Sequence, residues 1–218
     1  MALAIFDLDN TLLRGDSDHS WGQFMVTQGL VDKALYSAMN DKFLADYKAE
    51  QLNISEYLTF SLAPLTTLSS IELHHLHALF MQDVIEPLKQ PKATKLIEAH
   101  RKAGDRLLVI TATNRFIIEP IVRSLLIEEF LATEPELING CITGNIIGTP
   151  TYREGKVERL NVWLQEHNES LAGSYFYSDS INDLPLLQEV DNPIAVDPDD
   201  RLRQEAQQQG WEIISLRS

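Results

Sequence analysis

The sequence predicts an α/β protein whose core is a Rossmann-like, doubly wound parallel sheet. Three observations support this fold class: short apolar runs recur along the chain, helical patterns separate several of them, and polar residues stand where each run ends. A strand buried on both faces reads as a continuous apolar run, and strands that alternate with helices are typical of a parallel sheet. An inserted helical cap and a small β-hairpin flap complete the predicted fold.

Four apolar runs are predicted strands. They cover residues 3–6, 106–110, 174–177 and 193–196. In an open parallel sheet, ligands bind outside the carboxyl ends of the strands. The polar residues that follow three of these runs, Asp7, Thr111 and Asp179, are therefore expected to meet at that edge of the sheet.

The segments between the strands divide the chain into a core and a cap. Residues 92–103, 116–127 and 156–167 have helical patterns and belong to the predicted core, which comprises 1–14 and 91–218. Residues 15–90 contain helical patterns alone and are the predicted cap, with helices at 17–29, 31–50, 54–63 and 69–86. Glycines spaced among isoleucines predict a β-hairpin over 139–150.

Composition limits the possible partners. The net charge of −14 argues against nucleic acid, because binding to a polyanion depends on basic surface. No apolar run approaches the ~18 residues of a membrane span, so no membrane partner is expected. The single cysteine, Cys141, excludes an intrachain disulfide, and a cytoplasmic location is the expectation. The sequence leaves the oligomeric state open.

Asp7 and Asp9 are the candidate catalytic pair. They follow a predicted buried strand with the two-residue spacing that places side chains on the same side of an extended chain. A nucleophilic carboxylate can form an aspartyl phosphate, while a second carboxyl protonates the leaving alcohol and then activates water. A lone Asp-x-Asp, by contrast, is more often a turn or a solvated pair.

Attack by a carboxylate on a phosphate dianion is repulsive, so such a site needs a hard cation with oxygen ligands. Mg²⁺ is the expected cofactor, because it binds a few carboxylates together with waters and substrate oxygens. Asp179 and Asp183 are the additional acids. Thr111 and Lys156 are expected to hold phosphoryl oxygens, the first by hydroxyl and backbone N–H, the second by charge.

Four separated elements resemble the signature of the haloacid dehalogenase superfamily, in that family's order. They are Asp7-x-Asp9-x-Thr11, Thr111 after an apolar strand, Lys156 opening a helix, and Asp179-Ser180-x-x-Asp183. The resemblance spans nearly the whole chain, and the helical insert is similar to the cap of the phosphoserine phosphatase-like subgroup. The superfamily's dehalogenases generally lack the second aspartate of the first element. Asp9 therefore favours phosphoryl transfer over dehalogenation.

The resemblance also implies a role for each matching residue. Asp7 is implied to be nucleophile and metal ligand, and Asp9 to be acid/base and to bind the metal through its carbonyl. Asp179 is implied to be a metal ligand, Thr11 to brace the loop and Asp183 to be a carboxylate behind the metal ligands. The implied phosphate contacts are Thr111, the Ala112 N–H, Lys156 and Asn182.

The substrate is expected to be a small phosphomonoester, and residues of the cap are expected to recognise its leaving group. Phosphoserine enzymes of the subgroup use a glutamate at the start of the cap for the amine and a cap arginine for the carboxylate. The glutamate position maps to Asp16, but no arginine occurs between Arg14 and Arg101. An amine-bearing phosphate without a carboxylate, such as histidinol phosphate, fits both facts. Phosphoserine remains the alternative, with Arg14 or a cap lysine as anchor.

The cap composition agrees with a cationic leaving group. Residues 15–90 contain ten acids and four lysines, which gives this segment a net charge of −6. Asp16 and His19 are the candidate substrate contacts in the cap. A solvated acidic helix face explains the same charge, and Ser17 or Asp18 is equally a candidate helix cap.

Two other functions remain open on the same fold. A phosphotransferase or mutase would pass the phosphoryl group to an acceptor other than water, and the motifs do not distinguish it from a hydrolase. A non-enzymatic phosphometabolite-binding protein would be expected to lack a catalytic group. Asp7, Asp9, Lys156 and Asp179 are all present, which favours an enzyme.

Overall fold

A computed structural model describes residues 2–217 of the chain. Its strands are β1 (Leu3–Phe6), β2 (Arg106–Asn114), β3 (Glu129–Ile138), β4 (Cys141–Ile147), β5 (Tyr175–Ser178), β6 (Asn192–Val196) and β7 (Glu212–Ile214). They form one sheet in the order β4-β3-β2-β1-β5-β6-β7, in which every pairing is parallel except that of β3 with β4. The α/β fold class and the parallel core are confirmed.

β1 lies at the centre of the sheet, between β2 and β5. Its four residues are all buried, but they contribute to two different hydrophobic clusters: Ala4 and Phe6 face one side of the sheet, Leu3 and Ile5 the other. Side chains alternate across a strand, so a strand covered on both faces must be apolar at every position. This explains why β1 reads as an uninterrupted apolar run that ends at Asp7.

The hairpin differs from the sequence prediction in its position. It consists of β3 and β4, joined by Asn139 and Gly140, whose φ angles of 52° and 79° are typical of a tight hairpin turn. The predicted range of 139–150 therefore contains only the turn and the second strand. The first strand was missed because β3 carries Glu and Pro along its length, and because its first half pairs parallel with β2 instead of belonging to the hairpin alone.

Ten helices connect the strands within residues 2–217. They are α1 (Ser17–Thr27), α2 (Lys33–Lys48), α3 (Ile54–Leu62), α4 (Ser70–Phe80), α5 (Glu86–Leu88), α6 (Pro91–Ala103), α7 (Arg115–Ser124), α8 (Glu154–His167), α9 (Leu184–Leu187) and α10 (Asp200–Gln209). Short helical turns cover 8–12, 63–67, 81–85 and 181–183.

Local sequence signals explain several of these boundaries. α6 begins with Pro91, where the missing N–H costs nothing, and ends at Gly104, whose φ of 80° suits glycine. α4 begins with a capping box in which Ser69 and Glu72 exchange hydrogen bonds. The predicted helix at 92–103 is observed as α6 with a shift of one residue. The predicted helix at 69–86 is observed in three pieces: α4, the helical turn at 81–85, and α5.

Helices α1 to α5 all lie between β1 and β2 in the chain, as the predicted insert does. Trp21 of α1 is buried and packs edge-on against Phe80 and Phe116, so this part of the insert rests on α7. The His77 Nε2–H donates a 2.9 Å hydrogen bond to the Ile117 carbonyl, which fits a histidine satisfied in the interior. The division into a core and a cap stays a prediction. No helix within residues 2–217 is long and apolar enough to cross a membrane.

Candidate active site

Asp7 lies at the carboxyl end of β1, where the central strand places it at the edge of the sheet. Its side chain is buried, and Oδ1 is 2.7 Å from the Nζ atom of Lys156. Burial raises the pKa of Asp7 to about 7; the Lys156 ammonium opposes this shift, while the Asp183 and Asp9 carboxylates add to it. The carboxylate is thus held beside one cation in a region of excess negative charge.

Lys156 lies in the first turn of α8 and bridges two acids. Besides Asp7, its Nζ contacts both carboxylate oxygens of Asp183, at 2.7 and 2.8 Å. Burial alone would lower the pKa of Lys156, but Asp183 and Asp7 together raise it, so the side chain is a fixed positive charge. Ser178 donates a further 2.7 Å hydrogen bond to Asp183. Asp183 therefore orients the lysine that contacts Asp7.

Asp9 is held by two donors from different parts of the chain. The Ser17 backbone N–H donates to Oδ1 at 2.6 Å and the Thr113 hydroxyl to Oδ2 at 2.9 Å. Burial raises the pKa of Asp9 to about 6, and the nearby Asp16 charge adds to the shift while both hydrogen bonds oppose it. A carboxyl with such a pKa can give up and take back a proton near neutral pH.

The loop between these two aspartates bends. Asp7 and Asp9 have extended backbone angles, but Asn10 is left-handed with φ 56°. Asp7 and Asp9 nevertheless line the same cavity, together with Thr111, Ala112 and Asp179. Residues from the ends of β1, β2 and β5 thus meet at the carboxyl edge of the sheet, where the sequence places them.

Asp179 is the third acid of this cavity. Burial, followed by repulsion from Asp7 and Asp183, raises the pKa of Asp179 well above its ordinary value. Thr11 donates to Asp179 Oδ1 at 3.3 Å, so the predicted bracing residue contacts this carboxylate. Lys156 is the one close cation of these carboxylates among the described residues. An additional positive charge would therefore reduce the repulsion between them.

The donor set fits a magnesium ion. Asp7, Asp9 and Asp179 all line one cavity, where their oxygen atoms are potential ligands. Within residues 2–217, no three side chains of His, Cys, Asp or Glu lie together at metal-binding spacing. Mg²⁺ is usually held by one or two carboxylates together with waters, so a donor set made of carboxylate oxygens suits this ion.

The predicted phosphate contacts differ in how they are placed. Thr111 and Ala112 line the cavity, whereas the Asn182 amide is turned to other groups: its Nδ2 donates to the Tyr47 carbonyl at 3.0 Å, and its Oδ1 accepts from Tyr152 at 3.2 Å. Asn182 thus links α2 to the segment before α8. Whether it contacts phosphate stays a prediction.

The insert supplies the opposite wall of the cavity. Asp16 and His19 line it, as predicted for substrate contacts, although Asp16 also caps α1 by accepting from the His19 N–H at 2.9 Å. Asp16, and neither Ser17 nor Asp18, is therefore the residue at the helix cap. His19 Nδ1 is buried and has no hydrogen-bond partner within residues 2–217.

Sequence reasoning missed several residues of this cavity. Thr113 follows Thr111 by two positions in a strand, so the alternation of side chains could have identified it. Phe43 and Tyr47 stand four residues apart on α2 and line the cavity with Tyr57 of α3. Nothing in their local sequence distinguishes them from ordinary packing residues.

No lysine or arginine is among the described residues that line the cavity. Arg14 is exposed, and its backbone pairs with Leu88. Burial raises the pKa of Asp16 and the nearby Lys48 charge opposes that rise, but the Lys48 side chain is exposed and does not line the cavity. Neither of the alternative anchors for a substrate carboxylate is present on the cavity wall.

Comparisons with known proteins agree with this geometry. The sequence model of the haloacid dehalogenase-like hydrolases matches residues 4–188. A histidinol-phosphatase from Neisseria meningitidis serogroup C is 47% identical over 99% of both chains. A crystal structure of a protein with unknown function from Bordetella pertussis is 42% identical, with a TM-score of 0.93 over 99% of this chain and 98% of that one. A substrate-bound phosphoserine phosphatase shares the fold at 16% identity, with a TM-score of 0.73 over 99% of this chain and 93% of that one.

Proposed function

Since the chain belongs to the haloacid dehalogenase-like hydrolase family and is a phosphatase of phosphomonoesters, we propose that it hydrolyses histidinol phosphate with Asp7 as the nucleophile. The observation that carries this proposal is a single cavity in which the carboxylates of Asp7 and Asp9 face an acidic, aromatic wall that contains no lysine or arginine among residues 2–217. The similarity to a histidinol-phosphatase supports the choice of substrate.

In the first step, a carboxylate oxygen of Asp7 attacks phosphorus and the bond from phosphorus to the leaving alcohol oxygen breaks. Asp9 gives its proton to that oxygen, so the alcohol leaves neutral. Lys156 keeps the Asp7 carboxylate oriented through its 2.7 Å contact with Oδ1. The Thr111 hydroxyl and the Ala112 N–H are positioned to donate to phosphoryl oxygens as charge shifts onto them.

In the second step, Asp9, now a carboxylate, takes a proton from water and the hydroxide attacks phosphorus. The bond between phosphorus and Asp7 breaks, which regenerates the free carboxylate and releases inorganic phosphate. Ser17 and Thr113 hold Asp9 in place through both steps. Asp7, Asp179 and the Asp9 carbonyl would bind Mg²⁺, which when bound offsets the repulsion between phosphate and the carboxylates.

The insert is proposed to act as a cap that selects the leaving group. Asp16 is expected to face the substrate amine, and His19, whose Nδ1 is unpartnered, to contact the substrate beside it. A substrate carboxylate would meet acids on this wall instead of a cation, which disfavours phosphoserine. The leaving alcohol of histidinol phosphate carries an amine and an imidazole but no carboxylate.

The test is phosphate release from histidinol phosphate, phosphoserine and a neutral aryl phosphate, each with Mg²⁺ or with EDTA, for the native protein and for Asp7→Asn. Expected are release that needs Mg²⁺, a preference for histidinol phosphate, and loss of all release in folded Asp7→Asn. Full activity of Asp7→Asn would exclude the nucleophile. A preference for phosphoserine would exclude the substrate, and phosphate transfer to an added alcohol without release would support a phosphotransferase.

A further inference from the structure

Asp18 is a second acid on the insert side of the catalytic cavity, and the proposed chemistry does not use it. It lies in the first turn of α1, two residues after Asp16, and lines the cavity. The two acids differ in their engagement. Asp16 accepts the backbone hydrogen bond that caps α1, whereas Asp18 lies near the hydroxyl of Tyr57, which opposes the rise that burial causes in the pKa of Asp18.

The cavity that Asp18 lines also has an apolar and aromatic part. Five cavity residues form this part of the wall: Phe43, Leu44, Leu52, Ile54 and Tyr57. The Phe43 and Tyr57 rings pack edge-on with centroids 5.3 Å apart, so Phe43 supports the ring whose hydroxyl lies near Asp18. A flat ring of the substrate can bury its faces against such a wall while its edge meets the acid.

Asp18 has no cationic partner among residues 2–217. It forms no ion pair, and neither a lysine nor an arginine offsets its burial, which together with the Asp16 charge raises the pKa of Asp18 to about 8. A carboxyl in such a place is costly to ionise unless a ligand brings a donor or a positive charge. The Asp18 carboxyl can form further hydrogen bonds besides its contact with Tyr57, so it can bind a polar group of the ligand.

We propose that Asp18, oriented by Tyr57, is a specificity-determining residue that binds the ring N–H of an imidazole-bearing leaving group lying against the Phe43 wall. This rests on the proposed function for the identity of the leaving group. Asp16 and Asp18 then divide two tasks, the first facing the amine near the phosphate and the second the ring at the far end. Two donors on one substrate thus meet two acids on one helix turn.

The test separates binding of the ring from hydrolysis. Calorimetry measures histidinol binding to the native protein, to Asp18→Asn and to Asp83→Asn, a control with the same substitution at an exposed acid of the insert. Loss of a charge-assisted hydrogen bond is worth about 10- to 100-fold in affinity. Asp18→Asn is expected to bind histidinol more weakly by a factor in this range, whereas Asp83→Asn is expected to bind it as the native protein does. Tyr57→Phe is expected to weaken binding by about 3- to 10-fold, because the carboxyl loses its orienting partner.

Kinetics provides the second readout. The kcat/KM of Asp18→Asn for histidinol phosphate is expected to fall through KM, while that for the neutral aryl phosphate stays within about twofold of native. Equal losses on both substrates would mean a structural role and overturn the inference, as would histidinol affinity independent of Asp18. Histidinol binding that depends on Asp18, without hydrolysis of histidinol phosphate, would overturn the proposed function and leave the Asp18 inference standing.

Discussion

The Nζ atom of Lys156 lies 2.7 Å from Oδ1 of Asp7, and both side chains are buried. The same ammonium contacts Asp183, so a single cation balances two carboxylates in the interior. Removing one member of a buried ion pair leaves an uncompensated charge, which is far more costly than losing a surface pair. Lys156 therefore contributes to both the fold and the chemistry.

Lys156→Met is expected to lower kcat by about 10²- to 10³-fold, because the charge beside Asp7 and the phosphoryl group is lost. It is also expected to lower the free energy of unfolding by about 3–5 kcal/mol. Steady-state kinetics and urea unfolding measure the two effects. Lys95→Met, an exposed change on α6, should leave both unchanged. Activity of Lys156→Met within tenfold of native would contradict the role of the ammonium.

Thr113 is a positioning residue, since its hydroxyl donates to Asp9 Oδ2 and opposes the rise that burial causes in the pKa of that carboxyl. Thr113→Val keeps the shape but removes the donor, so kcat is expected to fall about 3- to 10-fold. The limb of the pH–rate profile that reports Asp9 should move to higher pH, because the opposing hydrogen bond is gone. Thr113→Ser should restore both properties. A lower kcat with an unmoved profile would argue for a purely structural role.

Gly155 precedes Lys156, and a Cβ atom at this position would stand 2.0 Å from the Pro150 carbonyl oxygen. Gly155→Ala must therefore displace the start of α8 and the lysine with it. A destabilisation of about 1–3 kcal/mol and a lower kcat are expected. Gly104→Ala, at an open left-handed position far from the cavity, should cost about 1 kcal/mol and leave kcat intact. Unchanged kinetics in folded Gly155→Ala would refute the link between this glycine and Lys156.

The metal-free protein is expected to lose stability as pH rises from about 5 to 7.5. The pKa values of Asp7 and Asp9, about 7 and 6, exceed their ordinary values in the folded state. The folded protein therefore binds protons more tightly than the unfolded chain in this window, and the free energy of unfolding falls as they dissociate. Acids with lowered pKa values, such as Asp105 and Glu129, act at lower pH and in the opposite direction.

Thermal unfolding in EDTA across this pH range measures the effect, with Asp7→Asn as the matched variant. The native Tm should fall more steeply with pH than that of Asp7→Asn, which has one titrating carboxyl fewer. Mg²⁺ should raise the native Tm most at the upper end, where the carboxylates are ionised and the folded state binds the ion. Identical slopes in the two proteins would show that Asp7 does not titrate in this window.

Much of the fold was predictable because its signals are local. The run before Asp7 had to be a buried strand, and Pro91 and Gly104 delimit a helix by their own backbone restrictions. β3 was not predictable in the same way, since its glutamates and Pro135 hide the strand pattern. Its conformation depends on pairing with β2 and β4, which are separate in sequence.

For the site, the sequence by itself determined which acids and which lysine are the candidate catalytic residues. It also determined the edge of the sheet at which they meet, because chain order and strand direction fix where each strand ends. Only the tertiary structure decided which groups orient them: Thr113 on Asp9, Tyr57 on Asp18, and the Asn182 amide turned to Tyr47. Each of these contacts joins two different elements that are brought together only when the chain packs. A hydroxyl or an amide has no local sequence pattern that specifies its partner, so only the packed chain reveals it.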